Sequence, residues 1–228
     1  MEAGEHGKGA MNVATGGKRQ RTRDQLLVAA QELLLEGNVP LTIKLVANRA
    51  GMVHASFYNY FDTIDALLAE VEQLFFAAHG RLMAELVGGR GDIAEIFALI
   101  TRQTLRFVVQ SPRNGRIMFD SGLPIDRFIG DLRQALQTDI RRGVASGRFR
   151  AVDTALSAAV IAGSVIGVAL ELHRGRLGAD AVEAATRMLL EHLGVEAGEA
   201  VRLARMEAAF LDPPKLPLTW QSIRPPDG

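Results

Sequence analysis

The chain contains no cysteine, which excludes disulfides, thiolate nucleophiles and thiolate-held metal or iron–sulfur sites. Aromatics are scarce: one tryptophan and two tyrosines, with ten phenylalanines, among 228 residues. No apolar run is long enough for a membrane span. The longest, Ala155 to Leu170, is rich in Ala, Gly and Ser and reads as a buried interface helix. Residues 1–17, glycine-rich and without an apolar h-region, read as a disordered leader and not as a signal peptide. An excess of either charge is missing, since 26 Lys and Arg balance 26 Asp and Glu. The five histidines show no paired ligand spacing, so neither a metal site nor a cofactor is expected. No nucleophile–base pair or phosphate loop appears, which argues against an enzyme. A cytoplasmic protein with no membrane contact is the expectation.

What is present is unevenly placed. From Lys18 to Tyr60 six Lys or Arg face three acids, a net +3 that the rest of the chain compensates. A basic N-terminal module on a slightly acidic body hints at a polyanionic partner for the module alone, although a solvated basic helix end would look the same. Both tyrosines fall in the six residues Ser56-Phe57-Tyr58-Asn59-Tyr60-Phe61, beside two phenylalanines. A core accounts for apolar rings but not for two hydroxyls, since a buried Tyr needs a partner for its OH. Something polar therefore lies next to this segment.

Helical periodicity covers nearly the whole chain, and no strand pattern competes with it. Leu26, Leu27, Ala30, Leu33 and Leu34 form a one-sided stripe that Gly37-Asn38 ends. Thr42 is placed to cap a short helix from Ile43 to about Ala50, and Gly51 stands where a left-handed residue closes it. A third helix, His54 to Phe61, carries the tyrosines. A fourth runs from about Thr63 to Leu86. Further helices are expected at Asp92–Gln110, around Gly115–Asp120, and at Pro124–Ala145, Asp153–His173, Ala179–Leu193 and Glu196–Phe210, with glycine and proline punctuation between them. The tail from Asp212 holds five of the eight prolines and reads as extended. The expectation is an all-α protein of about nine to ten helices. Its parts are a leader (1–17), a helix-turn-helix domain (18–62), a larger helical body (63–211) and a Pro-rich tail (212–228).

The segment Thr42 to Leu68 resembles the DNA-binding domain of the tetracycline-repressor (TetR) family. The resemblance rests on Thr42, on Ala47, Ala50 and Gly51, on Phe57-Tyr58-Asn59-Tyr60-Phe61, and on Leu67-Leu68. It implies a three-helix helix-turn-helix domain whose third helix enters the DNA major groove. Phe57 and Phe61 then face the core, while Tyr58 and Asn59 address phosphate and base edges. Tyr60 has two readings, a phosphate contact or a half-buried ring with its OH at the rim. Thr42 is assigned to phosphate, Lys44, Arg19, Arg21 and Arg23 to the backbone or minor groove, and His54, Ala55 and Ser56 to the start of the recognition helix. Two departures matter. Val53 stands where a polar cap is usual, and Ile64 stands where a Lys usually meets phosphate.

For the body the resemblance implies a ligand-binding and dimerisation domain. One candidate interface stripe is Leu156, Val160, Gly163, Gly167 and Leu170, and another is Val182, Ala185, Met188 and Leu189. The same stripes would also serve an intramolecular core. Phe76, His79, Met83, Phe97, Phe107, Met118, Phe119 and Phe128 are candidates for an effector pocket, or else plain core. The function expected is a homodimeric transcriptional regulator, a repressor that binds a palindromic double-stranded operator and is released by a small apolar molecule. The alternative is a DNA-binding dimer of the same fold that answers to no effector.

Overall fold

The computed structural model describes residues 7–37, 40–123, 125–150 and 153–223, with backbone only for 7–16, 125 and 127. Ten helices and no strand occur among the described residues: α1 (Gly7–Glu36), α2 (Ile43–Arg49), α3 (His54–Phe57), α4 (Ile64–Val87), α5 (Ile93–Gln110), α6 (Pro112–Phe119), α7 (Ile125–Ala145), α8 (Thr154–His173), α9 (Ala181–His192) and α10 (Ala197–Arg205). The all-α expectation holds. Two compact units divide the chain, one made of residues 1–75 with 215–228, the other of residues 76–214. The division falls inside α4 and not at its start, and it also cuts the tail, whose second part belongs with the N-terminal unit.

In the N-terminal unit, Leu26, Leu27, Ala30 and Leu34 are buried on α1 and Gly37 ends the helix at a φ of 60°. The helix reaches back to Gly7, across most of the segment that the sequence reads as a disordered leader. Once the stripe on the later turns has nucleated a helix, each added residue gains a hydrogen bond for one more pair of fixed dihedrals. Residues 1–6, Asn38, Pro124 and the tail end 224–228 lie outside the described residues. Thr42 caps α2, its side chain accepting from the Leu45 amide at 3.3 Å. Gly51 closes it at a φ of 70°, where a Cβ would be strained.

The third helix is a correction. It is helical only over His54–Phe57, and Tyr58 to Tyr60 form a turn. The Asn59 amide bonds the Ser56 carbonyl, and the Tyr60 and Phe61 amides both reach that of Phe57. This tighter winding lets Phe57 and Phe61, both buried with rings 5.8 Å apart, face the same core. Val53 makes no side-chain cap, as its residue type foretold.

In the other unit α5 is central, packing against α6, α7, α8, α9 and α10. Asp92 caps it through the Ala94 amide at 2.9 Å, which gives the Arg90-Gly91-Asp92 loop its structural use. Leu105, Ile140, Ala158, Ile161, Leu190, Leu193 and Leu203 share one continuous core. Phe149 closes over the backbone of Gly143, where an added Cβ would lie 1.9 Å from its ring. The last helix ends at Arg205, not at Phe210. Met206 turns extended (φ −47°, ψ 134°), its carbonyl accepts from Arg102 Nη1 at 2.6 Å, and Phe210 lies against the Arg102 and Arg106 guanidiniums at 4.8 and 4.4 Å. Cation–π contacts with another helix outweigh the local helical periodicity there.

Candidate nucleic-acid interface

Helices α2 and α3 place a contiguous set of polar groups on the surface. Thr42, Lys44, His54, Ala55 and Asn59 are exposed, Ser56 is partly buried, and Tyr58 is 51% exposed. The Tyr58 ring stands edge-on to His54 at 5.7 Å and to Phe57 at 5.9 Å, so a core ring on one side and an imidazole on the other orient its hydroxyl outward. Tyr60 is partly buried, an arrangement that fits its half-buried reading as well as a contact at the rim.

The arginines divide. Arg19 and Arg21 are exposed, Arg19 donating to the Asn59 carbonyl at 3.2 Å and Arg21 to the Gly17 carbonyl at 3.2 Å. Arg23 is committed to the fold. It stacks over Phe61 at 4.2 Å, donates to the Tyr60 carbonyl at 2.7 Å and forms a two-pronged ion pair with Glu70. A guanidinium with its fork on a carboxylate and its face on a ring has little left for DNA, so its assignment to the arm is corrected. Arg49, also basic, is paired with Glu36 through two bonds of 2.8 Å, which raises its own pKa and lowers that of Glu36.

Sequence reasoning missed the groups that brace this surface from behind. Gln31, fully buried on α1, donates to the Leu218 carbonyl at 2.8 Å and accepts from the Leu218 amide at 2.7 Å. Trp220 donates to Glu70 at 3.0 Å. A glutamine inside the leucine-rich run Leu26–Leu35 was the one legible signal, since a buried amide requires partners.

In the body the ring contacts of the pocket candidates run in pairs. Phe97 meets Phe149 edge-on at 6.0 Å in the main core, and Phe119 stacks on His173 at 5.7 Å. Phe76 meets Phe128 at 6.2 Å, and His79 meets Phe107 at 5.8 Å, each pair edge-on. Met83 is buried and Met118 partly so. His79 lies 3.3 Å from Thr104 Oγ1, and desolvation lowers its pKa to about 4, which keeps the imidazole neutral. Among the described residues no His, Asp and Glu cluster is arranged to hold a metal ion.

The interface stripes also divide. Leu156, Val160 and Met188 are 62%, 42% and 60% exposed, and Gly163 and Gly167 look onto open space. Leu170 and Ala185 are partly buried. Val182 and Leu189 instead join the chain's own core, because α9 packs that face on α5 and α10. By length and composition α8 is apolar enough to cross a membrane, the one such helix among the described residues, which corrects the expectation that no apolar run is long enough.

A helix-turn-helix with an exposed polar face, joined to a helical body, is the architecture of a DNA-binding transcriptional regulator. Residues 26–71 match the bacterial regulatory protein tetR family, and residues 92–206 match the tetracyclin repressor-like C-terminal domain. The chain belongs to the tetracycline-repressor family. It is similar to RolR in complex with resorcinol, at 25% identity over 85% of this chain and 98% of that one, with a TM-score of 0.68. The fold is shared with the fatty acid degradation regulator FadR from Bacillus halodurans (17% identity, 74% and 94% covered, TM-score 0.60). It is shared too with NalD, the secondary repressor of the MexAB-OprM multidrug efflux pump in Pseudomonas aeruginosa (18%, 77% and 98%, 0.59). No curated protein matches the chain in sequence.

Proposed function

We propose that the protein is a cytoplasmic, homodimeric repressor that releases a palindromic operator when a small, largely apolar molecule carrying a hydroxyl enters its body. The observation that carries this reading is the His79–Thr104 pair beside the Phe107 ring. Held neutral, His79 offers one donor and one acceptor, which suits a hydroxyl rather than an anion. RolR, bound to resorcinol, gives a precedent for such a ligand in a similar chain. His79 lies on α4, and the same helix begins just past the Tyr58–Tyr60 turn. A ligand at His79 acts on DNA only through its different affinity for the binding and non-binding conformations.

On the DNA side, Asn59 and Tyr58 address base edges and phosphate, Thr42, Lys44, Arg19 and Arg21 hold phosphate, and His54, Ala55 and Ser56 open the reading helix. A recognition helix this short contacts too few base pairs by itself, and a second copy doubles the site. The exposed face of Leu156, Val160 and Met188, with two glycines between, offers a second copy a close helix–helix seat.

The test is to select genomic fragments with the purified full-length protein and then titrate the complex with resorcinol and simple phenols. Release of DNA that is lost in His79→Leu supports the reading. DNA affinity that none of these molecules shifts favours the effector-independent dimer.

A further inference from the structure

The chain passes between its two units twice, once inside α4 and once in the tail between Pro214 and Lys215. The second passage is fastened at both ends by the same device. In the body, fully buried Gln103 donates to the Leu211 carbonyl at 2.9 Å and accepts from the Leu211 amide at 2.9 Å. In the DNA-binding unit, fully buried Gln31 does the same to Leu218, at 2.8 and 2.7 Å. In each case one side-chain amide satisfies both polar groups of a leucine, so that backbone enters apolar surroundings without loss of hydrogen bonding. Nothing about an extended, proline-rich segment requires it to be held by buried amides. Unanchored chain ends are ordinarily poorly ordered.

Between the two clips lie Asp212, Pro213, Pro214, Lys215, Leu216 and Pro217. Seven residue steps span at most about 25 Å fully extended. Three prolines in six positions stiffen the link, because each fixes its own φ and restricts the residue before it. Beyond the second clip, Trp220 donates to Glu70, Glu70 pairs with Arg23, and Arg23 donates to the Tyr60 carbonyl in the reading turn. The tail thus ends in a chain of polar contacts whose last member is the backbone that positions Asn59 and Tyr58.

We propose that residues 206–222 form a length-limited tether between the body and the DNA-binding unit, with Trp220 as the residue that positions the reading turn. A change of state in the body reaches the turn through this tether as well as through α4. The inference rests on the reading of Tyr58–Tyr60 as the DNA-contacting turn.

The experiment inserts Gly-Ser-Gly-Ser between Pro214 and Lys215 of the full chain, which keeps both clips and slackens the link. Trp220 is the sole tryptophan, so its acrylamide quenching reports whether the tail is still seated. The probe is a genomic duplex selected by the wild-type protein, measured against a random duplex of equal length. Unchanged quenching with a loss of about fivefold or more in specific over random affinity is expected. Unchanged quenching with unchanged affinity overturns the proposal. Trp220→Phe keeps the ring and removes the donor; it should lower specific affinity too, and combined with the insertion it should cost less than the sum of the two. Strict additivity would show independent effects and also overturn the tether. Asn59→Ala, measured alongside, separates the underlying reading. Should it leave affinity unchanged while the insertion lowers it, the tether stands and the base-reading assignment falls.

Discussion

In the DNA-binding unit the Tyr58–Tyr60 turn is fixed by directional polar bonds: Arg23 donates to the Tyr60 carbonyl, with Glu70 and Trp220 behind Arg23. In the body the helices pack on a continuous apolar core around α5, with partly exposed polar groups such as the Asp92–Arg148–Glu199 network in addition. Size explains the contrast. A small unit of one long helix, two short ones and part of a fourth has a lower ratio of interior to surface, so hydrogen bonds and ion pairs must fix the geometry that burial leaves loose. The larger body can rely on burial, which is non-directional and grows with the apolar area removed from water.

Variants that remove one kind of support at a time should break this contrast. The largest effect is expected at Phe149, which is almost fully buried against Gly143 and Phe97. Phe149→Ala should cost about 3–5 kcal/mol by loss of burial and cavity formation. Thermal unfolding should show that loss in the body; an unchanged midpoint would mean the core is not the main support there.

Next comes a pH effect of up to about 3 kcal/mol, from a His pKa lowered from 6.5 to about 4. The folded state disfavours the protonated ring, so the stability is intact above about pH 6.5. It is lost progressively as pH falls toward about 4, below which the loss is complete. Chemical denaturation at pH 7.5 and 5 should show the body weakening at the lower pH, and His79→Gln should remove that part of the difference.

At the reading face Asn59→Ala should cost about 1–3 kcal/mol of operator binding and relax base preference while leaving stability unchanged. A loss of stability in place of affinity would move Asn59 from the interface to the support. Gly167→Leu has a similar expected size, about 1–3 kcal/mol, but acts on assembly. Since no neighbour in the chain lies within 4 Å of a Cβ there, the monomer should fold normally, and sedimentation should show dissociation. A variant that stays dimeric with full operator affinity would place the interface elsewhere.

The smallest effect belongs to Arg19 and Arg21. Replacing both with Ala should weaken binding to all duplexes alike and flatten the salt dependence of log K by up to about 0.9 for each phosphate that is no longer neutralised. Arg23→Ala should behave differently. It should lower the stability of the DNA-binding unit, because Glu70 loses its ion-pair partner and Phe61 its guanidinium cover.

The sequence by itself determined the elements whose signals are local. The α1 stripe, the Thr42 cap, Gly51 at its positive φ, the missing cap at Val53 and the burial of Phe57 and Phe61 follow from residue type and spacing within a few positions. The exposure of Tyr58 and Asn59 was legible for the same reason, since they turn outward once the two phenylalanines turn inward. Only the tertiary structure decided which members of the two similar apolar stripes are buried in the chain's own core and which are exposed. Leu156 and Leu189 are chemically alike, and what separates them is whether α5 and α10 cover the helix face they occupy. It decided likewise that α10 ends at Arg205, where Arg102 and Arg106 draw Phe210 away from the helix path. It also decided that Gln31, 187 positions from Leu218, is a clip for the tail. Such partners are set by the packing of distant segments, and no local periodicity carries their addresses.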